Sequence, residues 1–450
     1  MTFTPQQPIL ELGDAFYDPV APADFPQTIL RFRNDRAAAS VGLDGLSDAE
    51  WIAHFGRFQP LDGTLRQPLA LRYHGHQFRV YNPEIGDGRG FLFAQMRDEQ
   101  GRLMDLGTKG SGQTPYSRFG DGRLTLKGGV REILATEMLE ALGVDTSRTF
   151  SLIETGEELH RGDEPSPTRS AVMVRLNHGH IRIGAFQRLA YFQETENIER
   201  LTAYVLNHYY GEEAGPDAPQ RLLAHVAART ARLAGQFMAA GFVHGVLNSD
   251  NINVTGESFD YGPWRFTPTW DPAFTAAYFD HAGLYAFGRQ PEAIYWDVMQ
   301  LAGSLRLIAD EAPLVEAMDL FPERFQRELE AAILWRLGLE PHSPEQDRSL
   351  IQALERTLRT SEIPLDRFYF DAFAGQLPEA YGGPFAELRA LLAAHAPRKS
   401  RDHPYWSGNA PCSMPIDEVE AIWAPIPADD DWSALTAKVD QIRTMGDALA

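Results

Sequence analysis

Hydrophobic and polar positions follow a strand-like pattern in the first part of the chain. From about 68 to 108, the runs LALRYHG, FRVYN, GFLFAQMRD and GRLMDLGTKG are short and rich in apolar residues, and glycine-containing turns separate them. Two more strand-like runs, RTFSLIETGEEL and RSAVMVRL, come further along the chain. This pattern predicts an antiparallel sheet.

A helical pattern interrupts these strands in the segment LTLKGGVREILATEMLEALGV. The segment can end at Gly143, because glycine is a common helix stop. Its apolar side chains recur at helical spacing, at Val130, Ile133, Leu134, Met138 and Leu142. We therefore predict one amphipathic helix within a small, mainly β lobe.

Beyond about 185, long helical patterns such as NIERLTAYVLNHYY and RLLAHVAARTARLAGQFMAAG dominate, apart from turn-rich pieces near 243 to 290. The sequence thus predicts an α+β protein with a two-lobed fold. An irregular N-terminal arm at 1–60 precedes a mainly β lobe at 61–180 and a larger, mainly α lobe at 181–450.

The composition of the whole chain narrows the classes of partner. With 450 residues, of which 44% are hydrophobic, the chain can bury a large core, and a formal net charge of −21 argues against nucleic acid and anionic membranes as partners. A membrane-length apolar run and a signal-peptide pattern are both missing from the sequence, so we expect a cytoplasmic protein. The single cysteine, Cys412, excludes an intrachain disulfide framework and a multi-cysteine zinc site.

The motif GDGRG at 86–90 is the first candidate for chemistry. Gly86 and Gly88 would let backbone N–H groups approach a nucleotide closely, and Arg89 adds a charge suited to a phosphate. An ordinary glycine turn between two strands is the alternative.

Lys109 ends a predicted strand, and Glu132 lies near the start of the predicted helix. Kinase-like folds tie a strand lysine to a helix glutamate, which aims the ammonium at nucleotide phosphates. Glu137 on the same helix is a competing partner for Lys109. A surface lysine beside a solvated glutamate is the alternative.

The segment FVHGVLNSDNINV is the most informative one. The kinase catalytic loop has His-Arg-Asp and then an Asn seven residues after the His. His244 and Asn251 keep that spacing of seven, whereas Val246 takes the position of the catalytic Asp. Because valine cannot accept a proton, Asp250 is the candidate base. A polar turn whose Asn and Asp bond their own backbone is the alternative.

The sequence Asp260-Tyr261-Gly262 follows this segment and resembles the Asp-Phe-Gly element of kinases. Asn251 and Asp260 offer two hard oxygen ligands for Mg²⁺ or Mn²⁺ beside a triphosphate. An Asp-Tyr-Gly sequence alone is an ordinary turn. It indicates a metal site here only because it follows Asn251 in the chain.

Arg175 and Arg182 flank the predicted junction of the two lobes. An ordinary kinase makes this hinge apolar to hold adenine, whereas two guanidinium groups suit an anion. If the γ-phosphate lies toward the hinge, the α-phosphate can face the nucleophile and pyrophosphate becomes the leaving group. Two surface arginines paired with nearby acids are the alternative.

Several segments together resemble the selenoprotein O family of protein adenylyltransferases, formerly viewed as pseudokinases. The matching segments are LGTKGSGQTPYSRFGDGR, GGVREILATE, VMVRLNHGHIRIGAF, GFVHGVLNSDNINV, FDYGPWRF and FDHAGLYAFGRQP, and the resemblance runs from about residue 10 to at least 310. It implies a protein-kinase-like fold with ATP bound in flipped orientation, and transfer of AMP to Ser, Thr or Tyr of target proteins.

The resemblance also implies a role for each candidate residue. Asp250 matches the proton acceptor of the family, Asn251 and Asp260 match its metal ligands, and Glu132 would hold Lys109. The family's nucleotide contacts fall on Gly86, Gly88, Arg89, Lys109, Asp121, Gly122, Arg175, Arg182 and Asp260. Many members carry a redox-active cysteine or selenocysteine paired with another cysteine near the C-terminus, and this chain departs from them because it has only Cys412.

We therefore expect a protein adenylyltransferase that uses ATP with Mg²⁺ or Mn²⁺, with UMP transfer from UTP as a further option. Its expected partners are ATP and proteins that present a hydroxyl, without nucleic acid or membrane. One alternative is a kinase that transfers the γ-phosphate in the same fold. Another is a non-catalytic nucleotide-binding scaffold, which Val246 suggests because it replaces the catalytic Asp of kinases.

Overall fold

The structure, a computed structural model, describes residues 1–162 and 164–450. The strands in these ranges are β1 (Thr4–Gln6), β2 (Tyr17–Pro19), β3 (Ile29–Arg33), β4 (Leu69–Leu71), β5 (Gly75–Gln77), β6 (Val80–Asn82), β7 (Leu92–Arg97), β8 (Leu103–Lys109), β9 (Leu124–Thr125), β10 (Arg148–Leu159), β11 (Thr168–Asn177), β12 (Phe242–Val243) and β13 (Arg265–Phe266).

The α-helices begin with α1 (Asp35–Ala39), α2 (Asp48–Phe55) and α3 (Leu126–Ala141) on the sheet side of the molecule. The others are α4 (Ile183–Tyr191), α5 (Thr195–Val205), α6 (Ala218–Ala240), α7 (Gln290–Leu305), α8 (Glu311–Asp319), α9 (Phe321–Arg336), α10 (Pro344–Leu358), α11 (Leu365–Ala372), α12 (Ala386–Ala394), α13 (Ile416–Trp423), α14 (Pro425–Asp429) and α15 (Ser433–Leu449).

The main sheet is antiparallel at every pairing and runs in the order β2-β4-β7-β8-β11-β10-β3. Strand β1 pairs with β7, and β9 pairs with β11. The predicted antiparallel sheet is therefore confirmed. Strand β8, which ends at Lys109, lies between β7 and β11 and is buried along its whole length.

Residues 1–60 differ from the irregular arm that the sequence predicts. They form β1, β2 and β3, which join the main sheet, and the helices α1 and α2. Strands of three to five residues, separated by Pro and Asp, are too short to show a clear alternation in the sequence. The division of the chain at residues 60 and 180 stays a prediction.

The predicted amphipathic helix is α3, and it packs on the sheet. Its first turn is capped by Thr125, whose side chain accepts a hydrogen bond of 3.1 Å from the backbone N–H of Gly128. Gly129 lies close to β10, because a Cβ there would approach Leu152 Cδ1 to 2.3 Å. The chain leaves the helix through Gly143, whose φ of +74° suits glycine.

The helical part is built around α6, which packs against α7, α8 and α9. Helix α6 ends at Gly241 in the left-handed region, and the chain then enters β12, which pairs with β13. The polar turn that contains Asp250 and Asn251 lies between these two short strands. Helix α6 thus delivers this turn to the side of the molecule that faces the sheet.

The molecule is an α+β protein with an antiparallel sheet in its N-terminal part and a larger helical C-terminal part. A strand lysine, a helix packed on the sheet, and a polar turn after a long helix follow one another in the order found in protein kinases. The predicted kinase-like, two-lobed architecture is confirmed. The helices of the described ranges include none that is long and apolar enough to cross a membrane.

Candidate active site

A cleft of about 680 Å³ separates the sheet from the helical part. Its walls come from the 86–90 turn, the end of β8, the loop before β9, β11, and the turns that contain Asp250 and Asp260. The lining includes these predicted site residues: Gly86, Gly88, Arg89, Lys109, Asp121, Gly122, Arg175, Arg182, Asp250, Asn251 and Asp260. The fold therefore brings together groups that lie far apart in the sequence.

Lys109 forms an ion pair with Glu132 of α3, and both side chains are buried. Its Nζ also lies 3.6 Å from Oδ1 of Asp260, across the cleft. The competing glutamate, Glu137, instead pairs with Arg443 of α15. Lys109 is therefore a buried cation that lines the cleft and not a surface lysine.

Arg175 and Arg182 are buried and both contact Asp260. Nη1 of Arg175 donates to Oδ1 of Asp260 at 2.5 Å, and Nη1 of Arg182 donates to Oδ2 at 3.0 Å. Burial alone would raise the pKa of Asp260, but the two guanidinium groups and Lys109 hold it well below its usual range. Three cations thus surround one carboxylate that stays ionised at neutral pH.

The two arginines occupy the ends of the connection between the sheet and the helical part. Arg175 lies on β11, and Arg182 directly precedes α4. Arg182 also contacts Asp87 at 3.3 Å and donates to the backbone carbonyl of Asp250 at 3.0 Å. The alternative of two solvated surface arginines does not fit this burial.

The 86–90 turn packs tightly, which explains its glycines. A Cβ at Gly90 would come within 2.1 Å of the carbonyl oxygen of Thr108, and one at Gly86 would approach the ring of Tyr116 to 2.5 Å. Between the glycines, Asp87 points inward and accepts a hydrogen bond of 3.0 Å from the backbone N–H of Leu71. Burial raises the pKa of Asp87, although Arg182 opposes this shift.

Asp121 and Gly122 lie on the loop before β9, at the rim of the cleft. Gly122 has a φ of +70°, and a Cβ there would approach the carbonyl oxygen of Gly112 to 2.3 Å, so the position requires glycine. Asp121 is more exposed and pairs with Arg161 at 2.8 Å.

Asp250 is buried at the floor of the cleft. Its Oδ1 has no hydrogen-bond partner within residues 1–162 and 164–450. Burial raises the pKa of Asp250 to about 6, and Arg182 opposes the shift. A carboxylate that lines the cleft and has a pKa near neutrality has the properties of a general base. Val246 lies in the same cleft and, having no polar side chain, cannot take that role.

Sequence reasoning missed the hairpin of β5 and β6, which lies against the Asp250 turn. The backbone N–H of His76 donates to Oγ of Ser249 at 2.7 Å, and that of Phe78 donates to Oδ1 of Asn248 at 3.0 Å. The two residues before Asp250 are thus held by a segment about 170 positions earlier in the chain. The only signal in the sequence was the strand-like run FRVYN, which says nothing about its partner.

The tip of this hairpin is strained. Phe78 and Arg79 have φ values of 49° and 62°, in the left-handed region that non-glycine residues rarely adopt. Phe78 packs against Tyr285 at a ring distance of 5.0 Å, and Arg79 forms an ion pair with Glu292 at 3.0 Å. Contacts with the helical part therefore hold the hairpin in a conformation that its sequence alone would not favour.

The chemistry of the donors in the cleft fits a hard divalent cation. Asn251 uses its Nδ2 to donate to the carbonyl of Val246 at 2.9 Å, which leaves its amide oxygen free to act as a ligand. Asp260 supplies carboxylate oxygens in the same cleft. Within the described ranges, His, Cys, Asp and Glu side chains form no group of three that could hold a metal alone. A cation here would need the oxygens of a bound nucleotide as well.

Comparisons with known proteins agree on one family. The family model described as "Protein adenylyltransferase SelO" matches residues 1–380. A "Protein nucleotidyltransferase YdiU" of Synechococcus elongatus is 45% identical and the match covers 98% of this chain and 94% of that protein. The protein of the same name in Trichormus variabilis is 48% identical over 81% of this chain and 75% of its own length.

Similarity to solved structures is weaker. ROP2 from Toxoplasma gondii, described as a virulence factor with a protein-kinase fold and no enzymatic activity, is 11% identical, with 81% of this chain and 92% of that chain covered at a TM-score of 0.27. A score this low supports no conclusion about this protein. The sequence matches, in contrast, cover most of the chain at high identity. The chain therefore belongs to the SelO family of protein adenylyltransferases.

Proposed function

We propose that the protein transfers AMP from ATP to a hydroxyl group of another protein and releases pyrophosphate. The chain is an enzyme of the nucleotidyltransferase type, as its family membership shows. The observation that carries the detailed proposal is the pair Arg175 and Arg182, buried at the junction of the sheet and the helical part. Two buried guanidinium groups favour phosphates over an adenine ring at that end of the cleft.

This placement sets the direction of ATP. With the outer phosphates on Arg175, Arg182 and Lys109, the α-phosphate faces the turn that contains Asp250. Guanidinium groups bind phosphate oxygens in a bidentate manner, and a lysine adds a point charge. The 86–90 turn, whose backbone comes close to the cleft, and Arg89 complete the nucleotide contacts. Asp121 and Gly122 contact the nucleotide from the rim in this proposal.

The reaction follows from this arrangement. The hydroxyl oxygen of the target attacks the α-phosphorus, the bond from that phosphorus to the β-phosphate oxygen breaks, and pyrophosphate leaves. The proton of the hydroxyl passes to the carboxylate of Asp250, which lines the cleft. Lys109, Arg175 and Arg182 stabilise the charge that moves onto the leaving pyrophosphate. Glu132 orients Lys109 for this task through their buried ion pair.

Asn251 and Asp260 are the residues that we propose to hold a divalent cation. When bound, such an ion neutralises charge on the triphosphate, and both Mg²⁺ and Mn²⁺ suit oxygen ligands of this kind. The target hydroxyl belongs to Ser, Thr or Tyr, and UTP is a second candidate donor. The single cysteine favours a reducing compartment, so we propose the cytoplasm as the site of action.

Incubation of the purified protein with ATP labelled at either the α- or the γ-phosphate tests the proposal. A protein extract serves as target and Mg²⁺ or Mn²⁺ is added; a Lys109→Met variant is the control for contaminating enzymes. We expect α-label, and no γ-label, to become attached to protein, and the control to give neither. Attachment of γ-label alone would mean a kinase, and bound ATP without transfer of either label would mean a scaffold.

A further inference from the structure

The C-terminal segment 416–449, which contains α13, α14 and α15, runs along α3. We call it the C-terminal clamp. It lies beyond residue 380, where the match to the family model ends. Helix α3 carries Glu132, so the clamp is packed against the element that orients Lys109. The clamp contributes none of the residues that line the cleft. Any effect of the clamp on the reaction must therefore act through α3.

An ion pair between the partly exposed Arg443 and the buried Glu137 joins the clamp to α3. Nε and Nη2 of Arg443 donate to the two carboxylate oxygens of Glu137 at 2.9 and 2.7 Å. Glu137 also accepts a hydrogen bond from Asn34, which in turn donates to the backbone carbonyl of Thr149 on β10. Both Glu137 and Asn34 are buried. Arg443 thus ties α3, α15 and the edge of the sheet to one another.

The clamp holds α3 at both ends. Lys127 in the first turn of α3 pairs with Glu420 of α13 at 2.7 Å. At the other end, a Cβ at Gly446 of α15 would lie 3.2 Å from Cβ of Ala141, so the two helices touch closely there. Glu132 lies between these contacts on the same helix. A movement of the clamp would therefore move the helix that carries this glutamate.

The clamp is itself anchored in the helical part. Arg398 donates to the backbone carbonyl of Leu449 at 2.5 Å, and Lys438 donates to the carbonyl of Ser413 at 2.5 Å. On α15, the side chains of Leu435, Val439, Ile442, Met445 and Leu449 are buried in the main core. Helix α3 is thus fixed to the helical part by a route that does not pass through the cleft.

We propose that Arg443 is a positioning residue for AMP transfer, because it holds α3 where Glu132 can orient Lys109. The proposal rests on the proposed function. In kinase-like sites the lysine–glutamate pair must be in place for phosphoryl chemistry, and the position of this helix controls it. Loss of Arg443 would leave the Glu137 carboxylate buried without its cation, which favours movement of α3 toward solvent.

The test compares three variants of the full-length protein. Arg443→Met removes the cation and keeps an unbranched side chain, and Arg443→Lys keeps the cation. Asp347→Ala is the matched control, because it breaks a buried pair that joins α10 to His395 at the end of α12, and neither helix is among the main packing partners of α3. For each protein we would measure kcat and KM for transfer of α-label, the melting temperature, and hydrogen exchange of the α3 amides.

We expect Arg443→Met to lower kcat on the order of 10- to 100-fold with faster exchange in α3, because small displacements of catalytic groups have effects of this size. Arg443→Lys should recover most of the rate, and Asp347→Ala should keep the wild-type kcat even if it melts earlier. A wild-type kcat in Arg443→Met would overturn the proposal, and so would equal losses of rate in Arg443→Met and Asp347→Ala.

The test also separates failure of this proposal from failure of the proposed function. If the wild-type protein transfers no α-label, the proposed function is wrong. Hydrogen exchange of the α3 amides and the affinity for Mg·ATP then test whether Arg443 positions α3. Faster exchange in α3 together with an affinity at least about tenfold weaker in Arg443→Met would still support a positioning role. Unchanged exchange and affinity would reject it.

Discussion

Gly75 of the β5–β6 hairpin lies directly against the carboxylate of Asp250, and a Cβ at residue 75 would approach Oδ1 of Asp250 to 2.8 Å. The carboxylate has its place because residue 75 has no side chain. We predict that Gly75→Ala displaces Asp250 and lowers the rate of AMP transfer on the order of 10- to 100-fold, with little change in the affinity for ATP. A folded Gly75→Ala protein with the wild-type kcat would contradict the role of this contact.

Asp250→Asn should remove the proton acceptor and keep the shape of the side chain. We expect kcat for transfer of α-label to fall on the order of 10²- to 10⁴-fold, the range of general-base catalysis. The dissociation constant for ATP, measured by calorimetry, should stay within a few-fold of the wild-type value. If transfer proceeds at the wild-type rate with ATP bound normally, Asp250 is not the base.

Arg175→Met tests the direction in which ATP lies. A hydrogen bond to a charged partner contributes about 1.5–3 kcal/mol, so the affinity for ATP should fall roughly 10- to 100-fold. The affinity for AMP should change much less, because AMP lacks the outer phosphates that we assign to Arg175. Equal losses for ATP and AMP would place the arginine at the α-phosphate or the nucleoside and would remove the argument for a flipped nucleotide.

Removal of divalent cations should abolish transfer, and return of Mg²⁺ or Mn²⁺ should restore it. In Asp260→Asn, we expect the metal concentration for half-maximal rate to rise at least about tenfold, since a neutral amide binds a hard cation more weakly than a carboxylate does. Titration of the rate with each metal measures this shift. A wild-type metal requirement in both Asp260→Asn and Asn251→Ala would show that other groups hold the ion.

Asp105 gives a prediction for stability against pH. It is buried on β8, where Oδ1 accepts a hydrogen bond from Gln95 at 2.8 Å and Oδ2 has no partner in the part of the chain that the structure describes. Burial raises the pKa of Asp105 to about 7, so the folded state binds a proton that the unfolded state loses near pH 4. The contribution of Asp105 to stability should therefore be present at low pH and fall as the pH rises toward about 7.

Asp105→Asn removes this titration. Above pH 7 the variant should be more stable than the wild type, on the order of 1–3 kcal/mol, because no charge has to be buried. Thermal melts from pH 5 to pH 8 would measure the difference, with Asp402→Asn on the exposed surface as the control. A pH profile of Asp105→Asn that is parallel to that of the wild type would mean that Asp105 does not titrate in this range.

The sequence was sufficient for the parts of the site that depend on local order along the chain. The strand that ends at Lys109, the helix with Glu132 and the polar turn with Asp250 and Asn251 all show in the periodicity and spacing of the residues. The sequence leaves open whether Glu132 or Glu137 is the partner of Lys109. In the structure, Lys109 pairs with Glu132, and Glu137 pairs with Arg443.

Contacts between distant segments could not be predicted in this way. Nothing in the residues around Glu137 indicates Arg443, about 300 positions later, as its partner. The hairpin at Gly75 likewise reads as ordinary strands, although its backbone fixes the turn before Asp250. Periodicity reports which face of an element is buried, but not which other element covers it.

The three cations around Asp260 have a consequence for the proposed binding of ATP in the cleft. Arg175, Arg182 and Lys109 pair with acids of the protein itself, namely Asp260, Asp87 and Glu132. Phosphates that draw the arginines away would leave the partly buried Asp260 without a counter-ion, which is costly. A metal–ATP complex brings a replacement charge with it, whereas metal-free ATP does not. If ATP binds as proposed, we therefore expect the cleft to bind the metal–ATP complex more tightly than metal-free ATP.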